Sequence, residues 1–65
     1  MKKTFTIRMD HDSWSSKAGW LSLWRNNKRY QCERFQDFAE AQTWSDVFKE
    51  YAKAQGATHF KQILN

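Results

Sequence analysis

The stretch between Asp37 and Gly56 constrains this chain most, because it has the pattern of one long amphipathic helix. Its apolar positions, which recur at intervals of three and four, are Phe38, Ala41, Trp44, Phe48, Tyr51 and Ala52, and its polar far side holds Gln42, Asp46, Lys49, Glu50 and Lys53. Asp37 and Glu40 have the spacing of a capping box, which predicts a helix start just before Phe38. Gly56 predicts its end. One such helix covers only one side of a sheet.

Three segments before the helix have strand patterns. Residues 4–10 alternate strictly between polar and apolar, which predicts a half-buried strand. Residues 11–19 are rich in Ser and Asp and predict a loop. Residues 20–25 and 28–35 flank Asn26-Asn27, and since Asn tolerates a positive φ, we expect a hairpin with a two-residue turn.

The predicted order of elements is strand, strand, strand, helix, strand, an α+β domain that spans residues 1–65. A right-handed crossover returns the last strand, residues 58–64, parallel to the third. It then lies beside the third strand or beside the first strand. We favour the position beside the first strand, which gives a 3-2-1-4 sheet. With the helix on one side, the other side of this sheet stays open.

The two-residue turn fixes the predicted pairing of the hairpin, in which Trp24 faces Arg29, Leu23 faces Tyr30 and Leu21 faces Cys32. Alternate pairs share a side of the sheet. The predicted apolar side holds Leu21, Leu23, Tyr30 and Cys32, and the predicted mixed side holds Trp20, Ser22, Trp24, Arg29, Gln31 and Glu33. A three-residue turn would mix apolar and polar residues on both sides, so we favour the two-residue register.

Lys and Arg outnumber Asp and Glu by 11 to 7, which gives a net charge of +4. This balance favours nucleic acid, an acidic protein surface or an anionic lipid as partner, although small domains also carry such charge for solubility. The single Cys32 rules out an internal disulfide and a cysteine-based zinc site, and it predicts a reducing, cytoplasmic environment. No apolar stretch matches a signal peptide or a membrane span, so we expect no membrane partner.

The segment Asp10-His11-Asp12 holds residue types that are used in metal sites and catalytic triads. Adjacent residues of an extended chain point to opposite sides, so we do not expect these side chains to converge. Cys32 is predicted on the apolar side, where a thiol acts as a small hydrophobe. We therefore expect no enzyme activity, no cofactor and no metal. The alternative, acid–base catalysis by His11 with Asp10 or Asp12, is open to a test by His11→Ala.

The mixed side of the hairpin is the candidate binding surface. The predicted partner-binding residues are Trp20, Trp24, Arg25, Lys28, Arg29 and Gln31. Tryptophans beside arginine form a flat surface that supports cation–π contacts, and the basic hairpin tip adds positive charge. This combination suits nucleic acid, and the same residue types dominate protein interfaces. In the structural alternative, the loop that carries Trp14, or a second subunit, covers these tryptophans.

A chain of this size and element order resembles the small accessory proteins of bacteriophages and mobile elements, including anti-CRISPR proteins. This resemblance covers the whole chain and rests on no specific motif. Phe35, Glu40, Ala41 and Trp44, which follow the basic hairpin, also look like the arm-type DNA-binding domains of phage integrases, over residues 20–51. Those domains have three strands and a helix, and their open sheet face enters the major groove. The fourth strand and the tryptophans of the mixed side depart from that pattern.

The first resemblance implies a non-enzymatic inhibitor or modulator that docks stoichiometrically on a nucleic-acid-handling machine in the cytoplasm of a bacterial host. Its partner would be a host protein or nucleoprotein complex with an acidic surface, contacted through the mixed side of the hairpin. The second resemblance implies direct binding of DNA or RNA by the open sheet face, which we keep as the alternative.

Overall fold

A computed structural model describes residues 2–64, in which the chain forms four strands and one helix. They are β1 (Thr4–His11), β2 (Gly19–Arg25), β3 (Lys28–Phe35), α1 (Phe38–Ala54) and β4 (His59–Leu64). The sheet has the order β3-β2-β1-β4, with β2 antiparallel to both neighbours and β4 parallel to β1. The predicted α+β class, with the helix packed on the sheet, is confirmed, and the last strand lies beside the first.

Asn26 and Asn27 connect β2 to β3 through the predicted two-residue turn. Their φ angles are 53° and 65°, the left-handed values that a type I′ turn requires and that Asn tolerates better than most residues. Next to the turn, Trp24 lies opposite Arg29 as predicted.

Beyond that pair a β-bulge shifts the register by one residue, and the predicted pairing is wrong from there on. Leu23 lies opposite Gln31, so Tyr30 is the extra residue of β3. The reason is the burial of Phe35 at the end of the strand, since regular alternation from Tyr30 would place Phe35 on the side away from the core. With the bulge both residues face the helix. The ring centroid of Tyr30 lies 5.6 Å from that of Phe5, and Phe35 is fully buried.

The bulge also exchanges the sides on which the other β3 residues lie. Cys32, predicted in the core, pairs with Ser22 on the side away from the helix. Gln31 and Glu33, predicted on the mixed side, lie on the helix side. Arg34 lies opposite Trp20, the position that a regular two-residue hairpin would give to Glu33. The sequence-based positions of Cys32 and Gln31 are therefore wrong.

Asp37 caps α1 as predicted. Its backbone is extended, with a φ of −155°, and its carboxylate accepts a hydrogen bond from the Glu40 N–H at 2.9 Å. Gly56 follows the helix with a φ of 92°, the left-handed conformation that favours glycine after a helix end. Within residues 2–64 no helix is long and apolar enough to cross a membrane.

The core lies between α1 and the sheet. Its buried members are Phe5, Ile7, Leu21, Leu23, Phe35, Ala41, Phe48 and Ala52. The helix lies over β3 and β2 and reaches β1, which leaves the opposite side of the sheet uncovered by the described residues. Phe38, predicted on the apolar side of the helix, is 61% exposed at its first turn, where its ring contacts the His11 ring at 5.8 Å between centroids.

β1 extends one residue past its predicted end, to His11, and β2 begins at Gly19, so the connecting loop is residues 12–18. A Cβ on Gly19 would lie 2.1 Å from the Asp10 carbonyl oxygen, so only glycine allows this close approach of the two strands. The Asp12 N–H donates to the Ala18 carbonyl at 3.0 Å and closes the loop.

Candidate functional site

We call the uncovered side of the sheet the open face. Strand alternation and the observed pairing assign to it Thr6, Arg8 and Asp10 of β1, Trp20, Ser22 and Trp24 of β2, Arg29, Cys32 and Arg34 of β3, and Lys61 and Ile63 of β4. A shallow depression over its centre is lined by residues from β1, β2 and β3. Both tryptophans and Arg29 belong to this lining, so these three predicted residues share one surface.

Trp24 is held in a fixed position on the open face. Its indole Nε1–H donates to Ser22 Oγ at 2.7 Å. The Ser22 hydroxyl in turn donates to the Arg8 carbonyl oxygen at 3.5 Å, and Ser22 is only 5% exposed. Ser22 and Trp24 are two residues apart on one side of β2, so the indole leans back along the strand to make this bond. The ring is accordingly half-buried.

Trp20 lies at the other end of the depression and is 47% exposed. The guanidinium carbon of Arg34 lies 5.5 Å from the ring centroid of Trp20 and 5.9 Å from that of Trp14. These distances suit cation–π contacts. The cation–π contact expected between Arg29 and Trp24 is thus made by Arg34 with Trp20, together with Trp14 of the loop.

Asp12 anchors the Arg34 guanidinium. The two guanidinium nitrogens donate to the two carboxylate oxygens of Asp12 at 3.2 and 2.7 Å, a bidentate geometry that fixes the orientation of the group. The hydrogen bond from Arg34 lowers the pKa of Asp12, while burial opposes it, and the same bond raises the pKa of Arg34. The loop of residues 12–18 is therefore tied to β3.

The open face is basic. Its cations are Arg8, Arg29, Arg34 and Lys61. Arg8 is bridged to Asp10 at 3.1 Å, and Arg34 is bridged to Asp12. Within residues 2–64, no carboxylate lies within 4.0 Å of the charged group of Arg29 or Lys61. Glu33, which the sequence placed among the tryptophans, lies on the helix side of the sheet.

The basic hairpin tip, predicted to add positive charge beside the mixed side, also contacts the helix side of the sheet. Arg25 places its guanidinium carbon 6.0 Å from the ring centroid of Phe5, and Lys28 places its Nζ 5.2 Å from that of Tyr30. Both rings belong to the helix side of the sheet. Gln31 lies on that side as well and is separated from Trp20 and Trp24, whereas Arg25 also lines a depression next to Trp24.

Sequence reasoning missed three cations of the open face, namely Arg8, Arg34 and Lys61, and it considered Trp14 only as part of a loop that covers the tryptophans. For Arg8 the signal was present, because it lies on the polar side of the first strand, and the favoured sheet order puts that strand next to the tryptophans. For Arg34 the signal was its neighbour Phe35. A regular hairpin would leave this large apolar side chain on the solvent side, and burying it places Arg34 on the open face.

The side chains of Asp10, His11 and Asp12 do not converge. Asp10 lies on the open face, while the His11 ring lies on the helix side, with its centroid 5.9 Å from that of Phe35. Asp12 binds Arg34 instead. In the part of the chain that the structure describes, no group of three or more His, Cys, Asp or Glu side chains is placed to hold a metal ion.

Comparison of the chain with protein-family models, with curated proteins and with solved structures gave no significant match. The geometry and the charge of the open face are therefore the features that indicate a function.

Proposed function

We propose that this protein binds nucleic acid through the open face. The observation that carries the proposal is the combination of exposed tryptophan with uncompensated positive charge on one uncovered sheet surface. Trp20 and Trp24 offer aromatic surface, and Arg29 and Lys61 offer cations that no described carboxylate neutralises. Aromatic platforms beside cations that follow a phosphate backbone are the usual basis of binding to nucleic acid strands.

Charge favours nucleic acid over a general protein surface. The two acidic residues near the face, Asp10 and Asp12, are each bridged to an arginine, so neither presents a free carboxylate to repel a phosphate. Among residues 2–64, the other charged groups of the face are all positive. A polyanion gains from each of these contacts through the release of its condensed counterions.

The face is also ordered before any partner arrives. The indole of Trp24 is fixed by Ser22, and the guanidinium of Arg34 is fixed by Asp12. Side chains that are already immobilised lose little conformational entropy on binding, so more of the contact energy appears as affinity.

A second candidate function is docking on an acidic protein surface, such as a host nucleic-acid-handling machine. The specific observation in its favour is Trp14, which is 76% exposed next to Arg34 and Trp20. Trp and Arg are the residues most enriched among those that dominate protein interfaces. In this function the cations steer association, and the tryptophans supply most of the affinity.

The salt dependence of binding tests the proposal. We would titrate the folded protein against fluorescently labelled oligonucleotides of mixed sequence, single-stranded and duplex, and measure anisotropy over a range of salt concentrations. The logarithm of the affinity should fall linearly with the logarithm of the salt concentration. Arg29→Gln should flatten that slope by about one unit, since one phosphate contact is lost.

Lys53→Gln is the matched control, because it removes the same charge from an exposed site on α1. Its slope should equal that of the unaltered protein. The proposal is overturned if neither form of nucleic acid binds at low salt, or if Arg29→Gln and Lys53→Gln change binding equally.

A further inference from the structure

We infer that the open face recognises unpaired bases, so that its substrate class is single-stranded nucleic acid and not the duplex. This inference rests on the proposed function and makes it more specific. Trp20 and Trp24 act as stacking platforms for bases, and Arg29 on the neighbouring strand contacts a phosphate.

The chemistry of the central strand supports stacking over the reading of base edges. Successive open-face positions of β2 are Trp20, Ser22 and Trp24. The indole N–H of Trp24 is already donated to Ser22, and Ser22 is buried, so neither group is available to read a base edge in a groove. What these positions offer is the face of an aromatic ring, and only an unpaired base has a free face to place against it.

The spacing of the two platforms fits a strand that runs along β2. The backbone positions of Trp20 and Trp24 are four residues apart, about 14 Å in an extended strand, and the Trp24 indole leans back towards Ser22, so the two rings are closer than this. A stacked single strand advances about 3.4 Å per nucleotide, so a strand of up to about four nucleotides covers both rings. Both rings line the same depression of the open face.

Cations flank this path on both sides. Arg29 of β3 lies opposite Trp24, and Arg34 of the same strand lies opposite Trp20. On the other side, Arg8 of β1 lies opposite Ser22. The backbone of a strand whose bases lie over β2 can therefore run along β3, where Arg29 has no carboxylate of residues 2–64 within 4.0 Å.

The test compares three ligands with equal numbers of phosphates: a labelled single strand of mixed sequence, a duplex hairpin, and an abasic strand that keeps the backbone but lacks the bases. Affinity is measured by anisotropy at one fixed salt concentration. We expect the single strand to bind most tightly. Removal of the bases should weaken binding about tenfold or more, since each base–aromatic stack contributes that order of affinity.

Trp20→Ala should weaken binding of the single strand about tenfold and leave binding of the abasic strand unchanged. Phe38→Ala is the matched control, because it removes an exposed aromatic ring from the helix side of the molecule, and it should change neither affinity. Far-UV circular dichroism of both variants shows that they are folded.

Tighter binding of the duplex, or equal binding of the intact and abasic strands, overturns this inference while the proposed function stands. If no ligand binds at low salt, both are overturned. A loss of affinity in Trp20→Ala that is equal for the intact and abasic strands also overturns the inference, because it shows that the ring does not act on the bases.

Discussion

The indole of Trp24 has a structural role in addition to its place on the open face. Two substitutions at this position measure the contributions of its hydrogen bond and of its ring to stability. Its N–H donates to Ser22 Oγ at 2.7 Å, and Ser22 is 5% exposed. Trp24→Phe keeps an aromatic ring and removes this donor. A buried hydroxyl that loses a partner costs about 1 to 3 kcal/mol, and since Ser22 keeps its contact with the Arg8 carbonyl, we expect the lower end, about 1 kcal/mol.

Trp24→Ala removes the ring as well. A tryptophan buries about 200 Å² when it is fully covered, so a half-buried ring contributes about 2.5 kcal/mol of apolar burial. Added to the lost hydrogen bond, the expected cost is about 3 to 4 kcal/mol. A domain of 65 residues has about 3 to 10 kcal/mol of total stability, so Trp24→Ala is expected to be partly unfolded. The sequence alone places Trp24 on the mixed side as a binding residue, whereas its half-buried ring and its hydrogen bond to Ser22 also give it a part in the stability of the fold.

Urea unfolding followed by far-UV circular dichroism measures these costs. Trp20→Phe is the matched control, because it makes the same substitution at the more exposed tryptophan, and it should shift the free energy of unfolding by less than about 0.5 kcal/mol. If Trp24→Phe is as stable as the unaltered protein, the Ser22 hydrogen bond does not anchor the indole. If Trp24→Ala is also fully stable, the ring does not pack on the sheet.

Two further predictions concern the cap and the loop. Asp37→Ala should lower the free energy of unfolding by about 1 kcal/mol in the same assay, because the Glu40 N–H loses its acceptor, whereas Asp46→Ala in the middle of the exposed helix side should have little effect. Equal effects would contradict a capping role. The pKa of Asp12 is lowered by Arg34, so its bridge stabilises the fold above the usual carboxyl pKa of 3.8 and is lost as the pH falls below it. The stability difference between the unaltered protein and Asp12→Asn should therefore vanish in acid, and a difference that persists there would show that the bridge is not its cause.

The parts of the fold that were predicted correctly are those with local signals. The cap at Asp37, the helix period, the end of the helix at Gly56 and the turn at Asn26-Asn27 each depend on residues close together in sequence. Handedness left two positions for the last strand, and the favoured one, beside the first strand, is the one observed. The site was predicted less well because it depends on pairing across the hairpin, where one extra residue reverses every side chain that follows.

The errors on the candidate site follow from this one irregularity. Trp20 and Trp24 belong to β2, whose alternation was predicted correctly, and Arg29 precedes the bulge, so these three remained together. Gln31 and Cys32 follow the bulge, and both were assigned to the wrong side. No local pattern marks Tyr30 as the extra residue, because the bulge satisfies a tertiary requirement, the burial of an aromatic ring at each end of β3.

The same requirement determines the charge of the open face. In a regular hairpin, Glu33 would lie opposite Trp20, and a carboxylate would occupy the end of the depression. Because Phe35 must reach the core, the register shifts by one residue and Arg34 takes that position. Asp12 then binds this arginine and brings the Trp14 loop beside it. The exchange of a carboxylate for a guanidinium opposite Trp20 is therefore a consequence of how the core of a very small domain is filled.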